Sequence, residues 1–169
     1  MKFPICKVCL DNEILCNACA ERVGEMEIKI DEIKTFRRLN KLLKRQRGLK
    51  DVEIKRAVTN DNRSNLIIIT RSEDVSRLIG KEGCTVKKIA KALSMPIRII
   101  GQSSDVKNFL DDILFTVPIM GINILYKPNE RIYRVRIPRS KRNRLPIPSH
   151  VLANVSRSLF NENVDVVFE

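Results

Sequence analysis

The chain has 169 residues, 43% of them hydrophobic, which is enough for one or two small cores and too much for a chain disordered throughout. Its 32 Lys and Arg against 20 Asp and Glu give a net charge of +12, which favours a polyanionic partner, with nucleic acid as the leading class. The longest apolar runs have the length of strands and the first residues lack the apolar segment of a secretory signal, so we expect a cytoplasmic protein without membrane spans.

Four of the five cysteines lie close together near the N-terminus, with the spacing C-x2-C-x6-C-x2-C. Each C-x2-C pair can turn both sulfurs toward one ion, and four thiolates complete the tetrahedral coordination of Zn(II), which is typical of a structural site. Two disulfides or a redox-active pair are the alternatives, but cytosolic thiols stay reduced and no thioredoxin-like pattern surrounds these pairs. We predict a zinc knuckle over residues 1–24 that holds one structural zinc ion. Its ligands are Cys6, Cys9, Cys16 and Cys19.

An amphipathic helix and a hairpin follow the cysteines. Apolar residues at three- and four-residue spacing predict a helix over residues 31–46 that ends near Gly48, with many Lys and Arg on its other faces. The apolar face consists of Ile33, Phe36, Leu39 and Leu43. Two strands are predicted at residues 51–58 and 66–70, and the turn formers at residues 59–64 join them.

Residues 71–93 predict two helices separated by a tight turn, and a strand follows at residues 96–100. The turn has the sequence Ile79-Gly80-Lys81-Glu82-Gly83, and Val86 follows it at the third position. This segment is similar to the I-G-x-x-G-x-x-I signature of KH domains. The order helix, strand, strand, helix, GxxG, helix, strand resembles the type II KH topology of NusA proteins. Together with the cysteine segment, it gives a resemblance to archaeal NusA-like proteins.

The resemblance implies a KH domain over residues 25–102 whose GxxG loop grips the backbone of single-stranded RNA. Two residues without Cβ let the main chain approach a sugar-phosphate strand, and Lys81 attracts phosphate whereas Glu82 repels it. The alternative is a pair of glycines that only ends one helix and begins the next. The residues expected to contact RNA are Ile79, Gly80, Lys81, Glu82, Gly83, Thr85, Lys87 and Lys88. By analogy with the family, bases would lie in an apolar groove formed by Val75, Ile79, Val86 and Ile99.

The last part of the chain is interpreted as a degenerate repeat of the same unit, over residues 103–169. A helix at residues 104–115, capped by Ser103 or Ser104, precedes strands at residues 121–126 and 132–137, and a closing strand lies at residues 163–168. A shift of 66 residues sets Ile67 and Ile69 over Tyr133 and Val135. The same shift sets the glycine turn over Pro146-Ile147-Pro148-Ser149. The second module has therefore lost its glycines, and the predicted fold class is α+β: a zinc knuckle and two type II KH-like α/β modules.

A dense basic block distinguishes this second module. Its cations are Arg131, Arg134, Arg136, Arg139, Lys141, Arg142 and Arg144. Alternation places Arg134 and Arg136 on the solvent face of a strand, and residues 139–144 are expected to form a loop. Guanidinium groups bind phosphate in a bidentate manner, so we interpret Arg134, Arg136 and the four cations that follow as RNA contacts, with structured ribosomal RNA as one possible ligand. A solubilising surface is the alternative.

The sequence contains no arrangement that predicts an enzyme. His150 is the one histidine and has no neighbouring carboxylate, whereas Asp111 and Asp112 are adjacent on a helix and point in different directions. Three hypotheses follow. The first is a monomeric, NusA-like factor that binds single-stranded or ribosomal RNA in transcription or on the ribosome. The second is an adaptor whose zinc knuckle docks on RNA polymerase or a ribosomal protein, and the third is a redox protein that uses the cysteine pairs.

Overall fold

The computed structural model describes residues 1–25, 27–59 and 65–169. The chain divides into two compact units, Met1–Gln102 and Ser103–Glu169. Each unit contains one three-stranded sheet and helices. The predicted fold class, α+β with an N-terminal cysteine cluster followed by two α/β modules, is confirmed.

The first unit begins with the cysteine segment and continues into a mixed sheet. The order of the strands in the sheet is β1-β2-β3, where β1 and β2 are antiparallel and β2 and β3 are parallel. The central strand is a run of Leu, three Ile and Thr, all buried, as expected for β-branched side chains at the centre of a sheet. The elements are α1 (Lys7–Asp11), α2 (Asn17–Gly24), α3 (Ile30–Leu43), β1 (Ile54–Thr59), β2 (Leu66–Thr70), α4 (Val75–Ile79), α5 (Cys84–Leu93) and β3 (Ile97–Gly101).

The cysteine segment shares its core with the sheet and the helices of the first unit. Cys9 and Cys19 are buried in the same apolar cluster as Phe36 of α3, Ile68 of β2 and Ile89 of α5. The segment also pairs with the sheet, because Lys2 forms an isolated parallel bridge with Glu53. A short segment that could not bury enough surface by itself therefore gains a core from the helices and strands that follow it.

The second unit repeats the topology of the first. The order of its strands is β4-β5-β6, and as in the first unit the first two strands are antiparallel and the last two are parallel. Its elements are α6 (Val106–Ile113), β4 (Gly121–Lys127), β5 (Glu130–Ile137), a 3-10 helix (Arg139–Arg144), α7 (Ser149–Phe160) and β6 (Asn163–Phe168).

The predicted alignment of the two central strands is one residue out of register. In β2, Ile68 belongs to the core cluster and pairs with Ile99, whereas Ile69 is not part of that cluster. In β5, Val135 is completely buried and pairs with Val166. Because side chains alternate between the faces of a strand, the position equivalent to Val135 is Ile68, and a shift of one residue would exchange the two faces.

Two helix boundaries differ from the sequence-based prediction. α3 ends at Leu43 and not near Gly48. Gly48 lies in a separate 3-10 turn and does not have the positive φ of a glycine that ends a helix. α6 begins at Val106, and its cap is Asp105, whose carboxylate accepts a hydrogen bond from the Asn108 amide at 2.9 Å. A carboxylate at this position suits the helix dipole better than the predicted serines do.

The turn predicted at residues 59–64 lies mostly outside the described residues, and Thr59 is the last residue of β1. In the part of the chain that is described, every helix is too short or too polar to cross a bilayer.

Candidate functional sites

The four predicted zinc ligands meet at the N-terminal ends of two short helices. Cys6 and Cys16 immediately precede α1 and α2, and Cys9 and Cys19 lie one turn inside them. The two pairs are joined reciprocally. The Cys16 amide donates to the Sγ of Cys9 at 3.1 Å, and the Cys6 amide donates to the Sγ of Cys19 at 3.5 Å. Each C-x2-C pair therefore lies at the start of a short helix, and each pair donates an amide hydrogen bond to a sulfur of the other.

The spacing of the four sulfurs fits a tetrahedral ion. All four Sγ atoms lie within 4.8 Å of one another. The Sγ of Cys6 is 3.4 Å from that of Cys9 and 3.9 Å from that of Cys16. Zinc–sulfur bonds of about 2.3 Å at tetrahedral angles give sulfur–sulfur separations of about 3.8 Å. The cluster can hold a metal ion such as zinc, and four thiolates would leave that ion no open position.

The pKa values of the clustered thiols bear on how many protons a bound metal ion would displace. Hydrogen bonding to the Cys9 backbone and thiol lowers the pKa of Cys6 to about 7. The Cys16 backbone lowers the pKa of Cys9, but burial and the neighbouring thiols outweigh it and raise that pKa to about 12. The pKa of Cys19 is likewise raised, since burial and the Cys16 thiol outweigh the hydrogen bond from the Cys6 backbone. Binding of a metal ion at neutral pH would therefore release protons.

Polar side chains of α3 hold the cysteine segment in place. Arg37 donates from Nε to the carbonyl oxygen of Cys9 and from a terminal nitrogen to that of Glu13, each at 2.9 Å. Lys44 forms an ion pair of 3.4 Å with Asp11 at the end of α1. Arg37 thus fixes both α1 and the loop that joins the two cysteine pairs. In the sequence, Arg37 is one of the many basic residues of this helix, and nothing local distinguishes it because its partners are backbone atoms distant in sequence.

The predicted GxxG turn connects α4 to α5. Gly80 and Gly83 both have φ of 74°, but ψ is 170° at Gly80 and 18° at Gly83. Gly83 is therefore left-handed, as is Glu82, which has φ of 54°. A Cβ on Gly80 would lie 2.4 Å from the Thr85 hydroxyl, whereas a Cβ on Gly83 would meet only ordinary contacts, the nearest 3.6 Å away on Lys87. Position 80 therefore requires glycine because a side chain would suit neither the backbone conformation nor the space beside Thr85. Position 83 requires glycine for the backbone conformation alone. The same geometry ends α4 and begins α5.

The side chains around the turn form one exposed surface. Lys81, Glu82, Lys87 and Lys88 are all exposed, and the Lys87 ammonium donates to the Glu82 carbonyl oxygen at 3.1 Å. Ile79 is 36% exposed beside them, a high value for an isoleucine. The structure thus brings the predicted residues of this turn together, with Thr85 packed under Gly80.

One member of the predicted apolar groove is not accessible. Ile99 is only 8% exposed, because β3 turns it into the core cluster, so its assignment to an open groove is wrong. Val75 and Val86 pack against the edge of that cluster and stay partly exposed. The accessible apolar surface beside the turn consists of Ile79 with these two valines.

A buried carboxylate that the sequence analysis missed organises the segment before the turn. Asp74 is 1% exposed, and it accepts hydrogen bonds from the Glu53 amide at 3.1 Å, Arg71 Nε at 2.8 Å and Arg77 at 3.1 Å. Burial raises the pKa of Asp74, but the bonds from Arg71 and the Glu53 amide outweigh burial and hold it below its ordinary value. The three-residue spacing of Arg71, Asp74 and Arg77 was the available signal.

The basic block of the second unit separates into two halves. On β5, Arg131 pairs with Glu162, Arg134 with Asp165 at 3.1 Å, and Arg136 with Glu169 at 3.6 Å. Residues 139–144 form a 3-10 helix and not the predicted loop. Among the residues that the structure describes, no carboxylate pairs with the cations of this helix. They are Arg139, Lys141, Arg142 and Arg144.

No protein-family model matches this chain, and no curated protein does. Among solved structures, the chain is similar to "Crystal structure of APE1850", an archaeal protein. The TM-score is 0.60 at 18% sequence identity, and the match covers 84% of this chain and 100% of that chain. Similarity at this level of identity shows that the two proteins share a fold.

Proposed function

We propose that this chain is a NusA-like, single-stranded RNA-binding protein with a zinc-binding N-terminal segment and two type II KH-like modules. The glycine turn carries the proposal. Two glycines at positive φ join α4 to α5 within a unit of the order α-β-β-α-α-β, and exposed lysines surround them. Such a turn lets main-chain atoms approach a ribose-phosphate strand, and the net charge of +12 favours that ligand.

The proposed role of the metal is structural. Four cysteine thiolates would hold one zinc ion, more than neutralise its charge and give it no position for water or substrate. We infer a binding protein and not an enzyme, since His150 and the Asp111–Asp112 pair are exposed on separate helices. The ligand would be a nascent transcript or ribosomal RNA in the cytoplasm, as the resemblance to archaeal NusA-like proteins implies.

The test measures affinity for a single-stranded RNA against salt concentration, with and without the double substitution Lys81→Asp and Glu82→Asp. Aspartate tolerates the left-handed conformation at position 82, so the variant keeps the turn and reverses the charge at position 81. We expect affinity to fall about tenfold or more and the salt slope to become shallower by about 0.7, the value for one phosphate contact on a single strand.

Lys107→Asp is the matched control. Lys107 is exposed on α6, and its substitution makes the same change of net charge away from the turn. For this control we expect only the small loss of RNA affinity that follows from the lower net charge of the protein. An equal loss in the two variants, or none in either, would refute RNA binding through this turn.

A second candidate function, docking of the cysteine segment on a protein such as RNA polymerase or a ribosomal protein, is favoured by one observation. Val8 and Ile14 are 65% and 83% exposed within that segment, although aliphatic side chains of this size are usually buried. If docking is the main role, Val8→Ser with Ile14→Ser would abolish association with the partner and leave RNA affinity unchanged.

A further inference from the structure

The 3-10 helix of the second unit places one arginine over an aromatic ring. The Cζ atom of Arg142 lies 5.5 Å from the centre of the Phe168 ring, above its face. Phe168 is the last residue of β6, where it pairs with Ile137 of the neighbouring strand. The ring therefore belongs to a residue of the sheet, and the guanidinium group lies over a residue that the sheet holds in place.

A neighbouring arginine anchors the same support. Arg139 donates from its backbone amide to the Glu169 carbonyl at 2.8 Å and from Nε to the Phe168 carbonyl at 3.3 Å. The Lys141 amide donates to the Pro138 carbonyl at 2.9 Å, which fixes the start of the 3-10 helix. The backbone contacts of the residues just before Arg142 therefore tie the start of this helix to the strand that carries the ring.

Arg142 differs from the arginines of β5 in what surrounds it. Arg134 and Arg136 already face carboxylates of β6 and the chain end, so a phosphate would have to compete with these ion pairs. Arg142 is exposed and has no carboxylate partner in residues 65–169. An aromatic ring can cover only one of the two faces of a guanidinium group, so the other face is open to a second planar group.

The chemistry of that second group follows from planarity and charge. Unpaired bases stack on guanidinium planes. The phosphates of the same strand would supply a negative counter-charge to the surrounding cations, which have no carboxylate partner among the described residues. We propose that Arg142, supported by Phe168, is a stacking platform for one unpaired base of an RNA strand, and that Lys141 and Arg144 contact the adjacent phosphates. The proposal rests on the proposed RNA-binding function. It assigns to the second unit a binding mode that needs no glycine turn.

The test compares probes that have the same phosphates and different bases. Fluorescence anisotropy of the full chain would use oligoadenylate RNA of about twelve nucleotides and an abasic RNA strand of the same length. Arg142→Lys keeps the charge and removes the plane. We expect it to weaken oligoadenylate binding by about fivefold to tenfold and to leave abasic binding within about twofold, as for loss of one base-stacking contact. Equal losses on the two probes, or no loss on either, would overturn the platform.

Two controls separate the platform from the fold and from general charge. Arg134→Lys makes the same substitution at an ion-paired arginine, and we expect no probe-dependent effect. Phe168→Tyr keeps the ring and should keep the base-dependent affinity, whereas Phe168→Val, a good strand former, should lose it. A blunt-ended RNA duplex provides a third probe, because all of its bases are paired and stacked. If Arg142→Lys weakened duplex binding as much as oligoadenylate binding, stacking on an unpaired base would be excluded.

The outcome for the platform is distinguishable from the outcome for the glycine turn. If Arg142→Lys has the base-dependent effect and the Lys81→Asp, Glu82→Asp variant has none, the platform stands and RNA binding through the turn fails. If the turn variant loses affinity and Arg142→Lys does not, the reverse holds. Failure of the unmodified chain to bind either probe would overturn both proposals.

Discussion

Gly80 and Gly83 have the same φ of 74° but different surroundings. At Gly80 the Thr85 side chain occupies the space of a Cβ, and at Gly83 that space is free. A substitution at position 83 therefore meets only the cost of a left-handed backbone. One at position 80, where ψ is 170°, meets a conformation that is essentially restricted to glycine and must also displace Thr85.

We predict that alanine substitutions follow this order. Gly83→Ala should destabilise the first unit by about 1–2 kcal/mol, the cost of a left-handed conformation for an L-residue. Gly80→Ala should cost more, because a positive φ with ψ of 170° is a conformation that only glycine adopts readily and because the Thr85 clash adds to that strain. Gly48→Ala is the control, since position 48 has open space around a Cβ and an ordinary φ. Chemical denaturation monitored by circular dichroism measures all three. Equal effects at positions 80 and 83 would contradict the role of Thr85.

Arg37 provides a second prediction at this scale. Arg37→Gln removes the bonds to the Cys9 and Glu13 carbonyls, and we expect the affinity for zinc to fall by about 10- to 100-fold, as is typical when the residues that orient metal ligands are changed. Cobalt binding followed by its thiolate absorption, in competition with a chelator, measures this affinity. Arg38→Gln on the same helix is the control, because Arg38 is exposed. Equal affinities in the two variants would show that Arg37 does not position the metal site.

At the scale of elements, Asp74 joins the start of α4 to the start of β1, because it accepts a hydrogen bond from the amide of Glu53, the residue before that strand. The folded pKa of Asp74 lies below its ordinary value of 3.8, so the unfolded chain binds more protons near that pH. The corresponding stability is present above pH 3.8 and is lost as pH falls through the lower, folded pKa. When Asp74 is protonated, the hydrogen bonds that attach the start of α4 to the Glu53 amide and to Arg71 would weaken.

We predict that Asp74→Ala removes this acid-dependent part of the stability and costs about 1–3 kcal/mol at neutral pH, since it leaves the Glu53 amide without a buried acceptor. Urea denaturation between pH 3 and pH 7, a range of about four units around the aspartate pKa, measures both effects. Asp51→Ala, at an exposed carboxylate of the same segment, is the control. If both variants retained the acid dependence of the unmodified chain, Asp74 would not be its source.

The sequence predicted local features of these elements and missed the distant ones. The apolar stripe of α3, the five residues of β2 and the glycine turn are each encoded within a few neighbouring residues, and they are found as predicted. The pairing of Arg134 with Asp165 joins residues 31 positions apart through parallel strands. No local pattern contains that register, so an arginine expected to contact RNA is found in an ion pair. The 3-10 helix at residues 139–144 was missed because its sequence is polar throughout.

At the scale of the whole molecule, the two units should respond differently to loss of the metal. Cys9 and Cys19 pack in the same cluster as Phe36 and Leu39, so chelation should loosen α3 as well as the cysteine segment. We predict faster hydrogen exchange throughout α1, α2 and α3 after addition of a chelator, with the cysteine segment opening first. Amides of β5 and α7 in the second unit should be unchanged. Exchange that increased only in residues 1–24 would contradict the shared core.

The two amide–sulfur bonds between the cysteine pairs run in opposite directions, from Cys16 to Cys9 and from Cys6 to Cys19. Each pair receives an amide–sulfur hydrogen bond only when the other pair is formed, so we expect ligation to be all-or-none. A protein that holds an ion through one pair alone should not accumulate during a titration with cobalt. Oxidation of a single thiol would for the same reason disable all four positions at once.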